Sequence, residues 1–118
     1  MSTHRIRTNS LEWIKRLLIY RTEKQRICAI TTYKGRLQSI AFNSYVKTHP
    51  EQKRLAKKVG HPEREFLHAE ILALLRAKKV DTISVFRLGR NGEWQNAKPC
   101  AICDLAIKER GIRKINYT

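Results

Sequence analysis

Acidic side chains are scarce in this sequence: 10 Asp and Glu stand against 25 Lys and Arg, a formal net charge of +15 at pH 7. So few carboxylates leave a positive field that attracts phosphates, on a nucleotide or along a polynucleotide, although a merely solvated surface has the same composition. Cysteine is scarce too. Three cysteines, two of them in a C-x-x-C, do not make a disulfide framework and point to reduced thiols and a metal. Aromatic residues make up only 8% of the chain, which limits how many can serve as stacking surfaces. No apolar run approaches the ~20 residues of a membrane span, and the polar N-terminus lacks a secretory h-region. A membrane is therefore not an expected partner, and the expected location is the cytoplasm. What the chain does have is 42% hydrophobic residues in 118, enough for one folded domain with its own core and no second one.

Residues 1–9 are polar and basic and read as a flexible N-terminus, leaving 10–118 as the single domain. Ser10 can cap a helix with Glu12 in its first turn, and Leu11, Ile14, Leu17 and Leu18 recur at helical spacing to about Tyr20. Ile27 to Tyr33 is short, β-branched and apolar, the composition of a buried strand, with Cys28 a small core residue within it. Lys34-Gly35 reads as a hairpin turn and Leu37 to Phe42 as the returning strand. Ser44 to Glu65 is long and polar. Leu55, Ala56 and Val59 there make at most one helical turn before Gly60 and Pro62 stop it. Phe66 to Ala77 is an apolar helix, Thr82 to Leu88 a third strand, Cys100 to Arg110 a third helix ended by Gly111, and Ile112 to Tyr117 a fourth strand. The order α-β-β-α-β-α-β predicts an α/β (α+β) fold, a three-layer α/β/α sandwich around a mixed sheet.

The chemistry-bearing residues lie at two of these helix starts. His68-Ala69-Glu70 opens the second helix, and Pro99-Cys100-Ala101-Ile102-Cys103 opens the third. Cys100 and Cys103, three apart, share one helix face and can reach one metal, and the positive helix end favours the thiolates a zinc ion requires. With His68 they make three ligands. One zinc per chain is expected, with one tetrahedral position left for a water whose pKa the metal lowers to about 7. Glu70 sits about 200° round the helix from His68, so it is no simple co-ligand. Bordering the pocket, it can move protons instead. Competing readings are a surface carboxylate at Glu70, a thioredoxin-like C-x-x-C redox pair, and a closed structural zinc recruiting His49, His61 or Cys28.

H-x-E followed by P-C-x-x-C is the signature of zinc-dependent nucleobase deaminases. With the element order, residues 10–118 resemble the cytidine deaminase-like superfamily. HAEILAL and PCAICDLAIKERGIRKINYT are similar to deoxycytidylate and tRNA-type deaminases. The resemblance implies His68, Cys100 and Cys103 as zinc ligands and Glu70 as the proton shuttle. It further implies that Ala69 offers its backbone N–H to the base and that Asn43, at the end of the second strand, binds the sugar. Lys98 departs from the Glu or Ser that several families carry before the Pro. The chain also stops after the fourth strand where relatives usually continue, leaving an edge that is open or covered by another subunit, and a homo-oligomer is one expectation from this.

The expected function is hydrolytic deamination of cytosine in a cytidine or deoxycytidine nucleoside or nucleotide. Deamination of cytosine or adenine in single-stranded DNA or RNA is the alternative, and a zinc-stabilised basic nucleic-acid-binding module without catalysis is the third. Arg21, Arg26 and Lys47 are candidate phosphate contacts from their loop positions.

Overall fold

The computed structural model describes residues 2–5, 11–22 and 24–118. In chain order its elements are β1 (Ser2–Arg5), α1 (Glu12–Leu18), β2 (Arg26–Tyr33), β3 (Arg36–Phe42), α2 (Pro50–Lys58), α3 (Ala69–Arg76), β4 (Thr82–Leu88), β5 (Trp94–Gln95), α4 (Ala101–Glu109) and β6 (Lys114–Tyr117). They form a mixed sheet in the order β1-β6-β4-β2-β3, with β5 paired to the end of β4. β2 is antiparallel to both β3 and β4, whereas β6 runs parallel to β4 and to β1. The β2–β3 turn is Lys34-Gly35. Both residues have positive φ (49° and 77°), as a two-residue hairpin connection with the twist of its strands requires.

Side-chain alternation along the strands decides which helix packs where. Cys28 and Ile30 of β2 and Phe86 and Leu88 of β4 face α1, where they meet Leu11, Ile14 and Leu18. The residues between them point the other way. Ile83 and Val85 of β4 and Ile115 of β6 pack under α2, α3 and α4 with Leu55, Ile71, Ile102 and Ile107. Ala29 and Ala41 meet Ala69 and Ala73, an all-alanine contact that lets the backbone of α3 approach the sheet closely. The buried Thr31 and Ser39 hydroxyls bond each other, and Ser39 donates to the Ala73 carbonyl (2.8 Å), so no polar group is stranded there. Arg110, just past α4, donates to the carbonyls of Leu74 (2.6 Å) and Ala77 (2.7 Å), satisfying the end of α3. Helices thus lie on both faces of a mixed sheet. Among the described residues no helix is long and apolar enough to cross a membrane.

Three elements depart from the sequence reading. Ser2–Arg5, expected within a flexible N-terminus, pairs with β6 as β1 and occupies the edge that the reading left open or gave to another subunit. Pro50–Lys58 is a full helix rather than a single turn. Pro50 stands at its first position, and the His49 ring accepts a hydrogen bond from the Glu51 amide (3.0 Å) as its cap. α3 starts at Ala69, not Phe66, because Phe66 lies in an isolated bridge to Thr48. Ser10, the expected cap of α1, lies outside the described residues.

Candidate metal centre

The starts of α3 and α4 converge. His68 is the cap residue of α3 and Cys100 the cap of α4, both in extended backbone, and Cys103 follows in the first turn of α4. The His68 Nδ1 is 3.3 Å from the Cys103 sulfur and 3.5 Å from the Cys100 sulfur, and the three donor atoms all lie within 4.8 Å of one another. Zinc–nitrogen and zinc–sulfur bonds of about 2.05 and 2.3 Å at tetrahedral angles give an N···S edge of about 3.6 Å, so the spacing fits a shared zinc ion. A metal is thus a fitting occupant on both geometry and donor chemistry. Cys28, His49 and His61 are not part of the group: Cys28 is buried in the α1 face, His49 caps α2, and His61 pairs with Glu63 (3.4 Å).

The donors already polarise one another. A hydrogen bond from Cys103 holds the Cys100 thiol well below the ordinary thiol range, against the effect of burial, and His68 adds to the lowering. Burial raises Cys103, which acts as the donor to Cys100 and to the Glu70 carboxyl. For His68 burial acts downward, but the hydrogen bond and charge of Cys100 outweigh it and the net shift is upward. Burial raises Glu70 above the ordinary carboxyl range, partly offset by a hydrogen bond from its own amide and by the His68 charge. This acid is only 6% exposed and stands beside three metal-type donors.

His68, Cys100 and Glu70 open into a cavity of about 540 Å³, while Cys103 is fully buried behind them. His68, Cys100, Ala69, Glu70 and Asn43 form its inner wall, and Tyr45 and Phe66, both largely exposed, stand in its lining. Ala69 is the first residue of α3, where backbone N–H groups have no partner within the helix. Asn43 is 7% exposed and anchors the chain before β2: its Oδ1 accepts from the Ile27 amide (3.1 Å) and its Nδ2 donates to the Gln25 carbonyl (2.8 Å). A further Nδ2 hydrogen remains for a ligand.

The three cations named from sequence lie elsewhere. Arg21 stacks over the Phe42 ring at 4.4 Å and donates to the Asn43 carbonyl. Arg26 is buried, donating to the carbonyls of Ile19 (2.9 Å) and Gly89. Lys47 is exposed, its backbone tied to Ser44 and Leu67. None of them lines the cavity, which instead has Arg64, Arg87 and Lys98. Arg87 was readable: it falls in step with Ile83 and Val85 on the face of β4 that carries α3 and α4. Gln52 of α2 was missed altogether. It is fully buried, its Oε1 accepts from the His68 amide (3.1 Å), and its Nε2 donates to the Arg64 carbonyl (3.1 Å). Thr118 braces the opposite wall, accepting from the Arg87 amide (3.1 Å) and donating through its hydroxyl to the Gln95 carbonyl (2.7 Å).

Comparison of the chain with protein-family models, with curated proteins and with solved structures gives no match.

Proposed function

We propose that this protein is a zinc-dependent hydrolytic deaminase of a nucleobase, built as a cytidine deaminase-like three-layer sandwich, acting on cytosine of a cytidine or deoxycytidine nucleoside or nucleotide. The observation that carries this reading is the pairing of a three-donor His68/Cys100/Cys103 cluster with a buried carboxyl, Glu70, that lines the same cavity. A closed structural site has no use for such an acid. A redox pair leaves the buried Glu70 without a role.

Zinc held by these three residues supplies Lewis acidity, the means by which a water becomes a nucleophile at neutral pH. The remaining work belongs to the chain. Glu70, raised by burial, takes one proton of the attacking water and gives it to the ring nitrogen; it then carries the second, from the hydroxyl left on the ring carbon, to the amine, so that the C–N bond breaks and ammonia leaves as the carbonyl forms. Ala69 presents its backbone N–H to an acceptor on the base edge, and Asn43 meets the sugar with its free amide hydrogen. Leu67 and Ala97, both buried in the cavity lining, keep water from the ring. Exposed Tyr45 and Phe66 beside Arg64 and Lys98 favour a second substrate reading, a base within single-stranded nucleic acid, since exposed rings and cations together make a stacking track.

The test is turnover. Zinc-loaded protein is incubated with cytidine, deoxycytidine monophosphate, adenosine and single-stranded oligonucleotides while ammonia is followed. The cytidine compounds are expected to react. Glu70→Ala should retain zinc and lose about 10²–10⁴ in rate. Absence of turnover on every substrate, with the wild type indistinguishable from Glu70→Ala, overturns the reading.

A further inference from the structure

A second cavity, of about 490 Å³, adjoins the first and shares two of its walls, Gln25 and Arg87. Its other cations are Lys24 and Arg90, and among the described residues no carboxylate lines it. Among the described residues none of Lys24, Arg87 and Arg90 takes part in an ion pair: the pairs engage Arg54, Lys58, His61 and Lys108. Three cations lining one open space without a counter-charge among the described residues repel one another, and an anion relieves that repulsion.

The shared walls are fixed before any ligand arrives. The Gln25 amide donates to the Tyr45 hydroxyl (3.2 Å) and its carbonyl accepts from Asn43, while the Arg87 amide is held by Thr118. Arg26 spans from the Ile19 carbonyl to the Gly89 carbonyl, tying the connection before β2 to the β4–β5 turn. A ligand entering here meets a backbone that is already positioned, which lowers the ordering that binding requires. Asn43, the candidate sugar contact, bonds directly to Gln25, so the sugar position and the second cavity are one residue apart.

We propose that this second cavity is a phosphate-binding subsite continuous with the base cavity, in which Lys24, Arg87 and Arg90 hold a phosphoester attached to the sugar of the bound nucleotide. The inference rests on the deaminase reading for its account of the first cavity. The phosphoester is that of a free nucleotide or the linkage of a polynucleotide, and the experiment separates these sources.

Calorimetric titration of the zinc-loaded chain with cytidine, cytidine monophosphate and a short single-stranded oligonucleotide provides the test, run beside ammonia release. The phosphorylated ligand is expected to bind about tenfold or more tighter than cytidine, since a charge-assisted contact is worth at least that factor. In the double variant Lys24→Gln/Arg90→Gln the ratio should fall towards one. Both residues are exposed, so the fold survives the change. A gain carried by the monophosphate identifies a free nucleotide, and a gain carried by the oligonucleotide alone identifies a polynucleotide; either upholds the subsite. For the oligonucleotide, loss of two contacts should also flatten the slope of log affinity against log salt by about 1.4. Undiminished preference in the double variant, or equal binding of all three ligands to wild type, overturns the subsite. Binding with the expected preference but without ammonia release overturns the deaminase reading and leaves the subsite standing. Absence of binding by all three overturns both.

Discussion

Replacing Gln52 by Leu tests whether α2 holds a metal ligand in place or merely fills the core. Leucine has similar bulk, so no large void opens. What is lost is a pair of hydrogen bonds: the His68 amide loses its acceptor and the Arg64 carbonyl its donor. The Arg64 carbonyl belongs to an exposed residue and can turn to water, but the amide of half-buried His68 is left unpaired, at about 1–3 kcal/mol. Against the roughly 5–15 kcal/mol typical of a domain the protein stays folded, and its Tm falls by roughly 3–15 °C. The second effect is on zinc. Losing a contact that orients a ligand typically weakens metal binding about 10–100-fold, measurable by competition with a chromophoric chelator. Leu18→Ala is the control. Leu18, the last residue of α1, is fully buried on the opposite face of the sheet, and its truncation costs about 2–5 kcal/mol, as much stability or more. It should leave zinc affinity unchanged. If Gln52→Leu binds zinc like the wild type, or if Leu18→Ala weakens zinc equally, the positioning role of Gln52 is wrong.

Two further outcomes follow from the same geometry. Chelation of zinc should lower the Tm of the wild type, because a ligand at about 100 times its Kd stabilises by about 2.7 kcal/mol; Cys103→Ala should show no response to chelator, and equal shifts in both proteins would dissociate the cluster from the metal. Glu109 joins α4 to α2 through Arg54 (2.6 Å) and Lys58 (3.2 Å), and the hydrogen bond from Arg54 above all pushes its carboxyl down to about 2. A lowered folded-state pKa contributes stability above the ordinary carboxyl range that is lost as pH falls towards 2. Glu109→Gln should therefore be less stable than wild type near pH 6, converge with it in acid, and approach it in high salt; parallel pH–stability profiles would refute this.

The candidate metal donors were legible because each of their two motifs is local. Two cysteines three apart need only a helix, and His68-Ala69-Glu70 needs only to precede one. What the sequence hid depends on partners distant in the chain. α2 buries three of its nine residues, Gln52, Leu55 and Ala56, too narrow a stripe to announce a helix, and its cap is an imidazole rather than the usual hydroxyl or carboxylate. β1, with the sequence STHR, has no apolar alternation at all; it is a strand because β6 offers it an edge. Arg21 and Arg26 looked like free loop cations. The carbonyls that take up their guanidinium groups lie between 7 and 63 residues away, a separation no local pattern reports. Ser44–Glu65 reads in sequence only as a long polar stretch. Its Ser44, Tyr45, Glu63 and Arg64 line the cavity, whereas the rest of the segment forms α2 and its flanks behind it.

The buried arginine at the start of β2 has a consequence for how firmly one wall of the second cavity is held. Its guanidinium is a rigid spacer with two ends occupied, one by the tail of α1 and the other by the bend after β4. The bend after β4 lines the second cavity and the tail of α1 does not, so a side chain that lines neither cavity ties one wall of the second to the α1 side of the sheet. A lysine in its place has a single ammonium and cannot hold both carbonyls in one plane. Shortening or loosening that tie frees the Gly89 wall while every residue that lines the cavity stays the same, which makes Arg26 a remote handle on how firmly that wall is held.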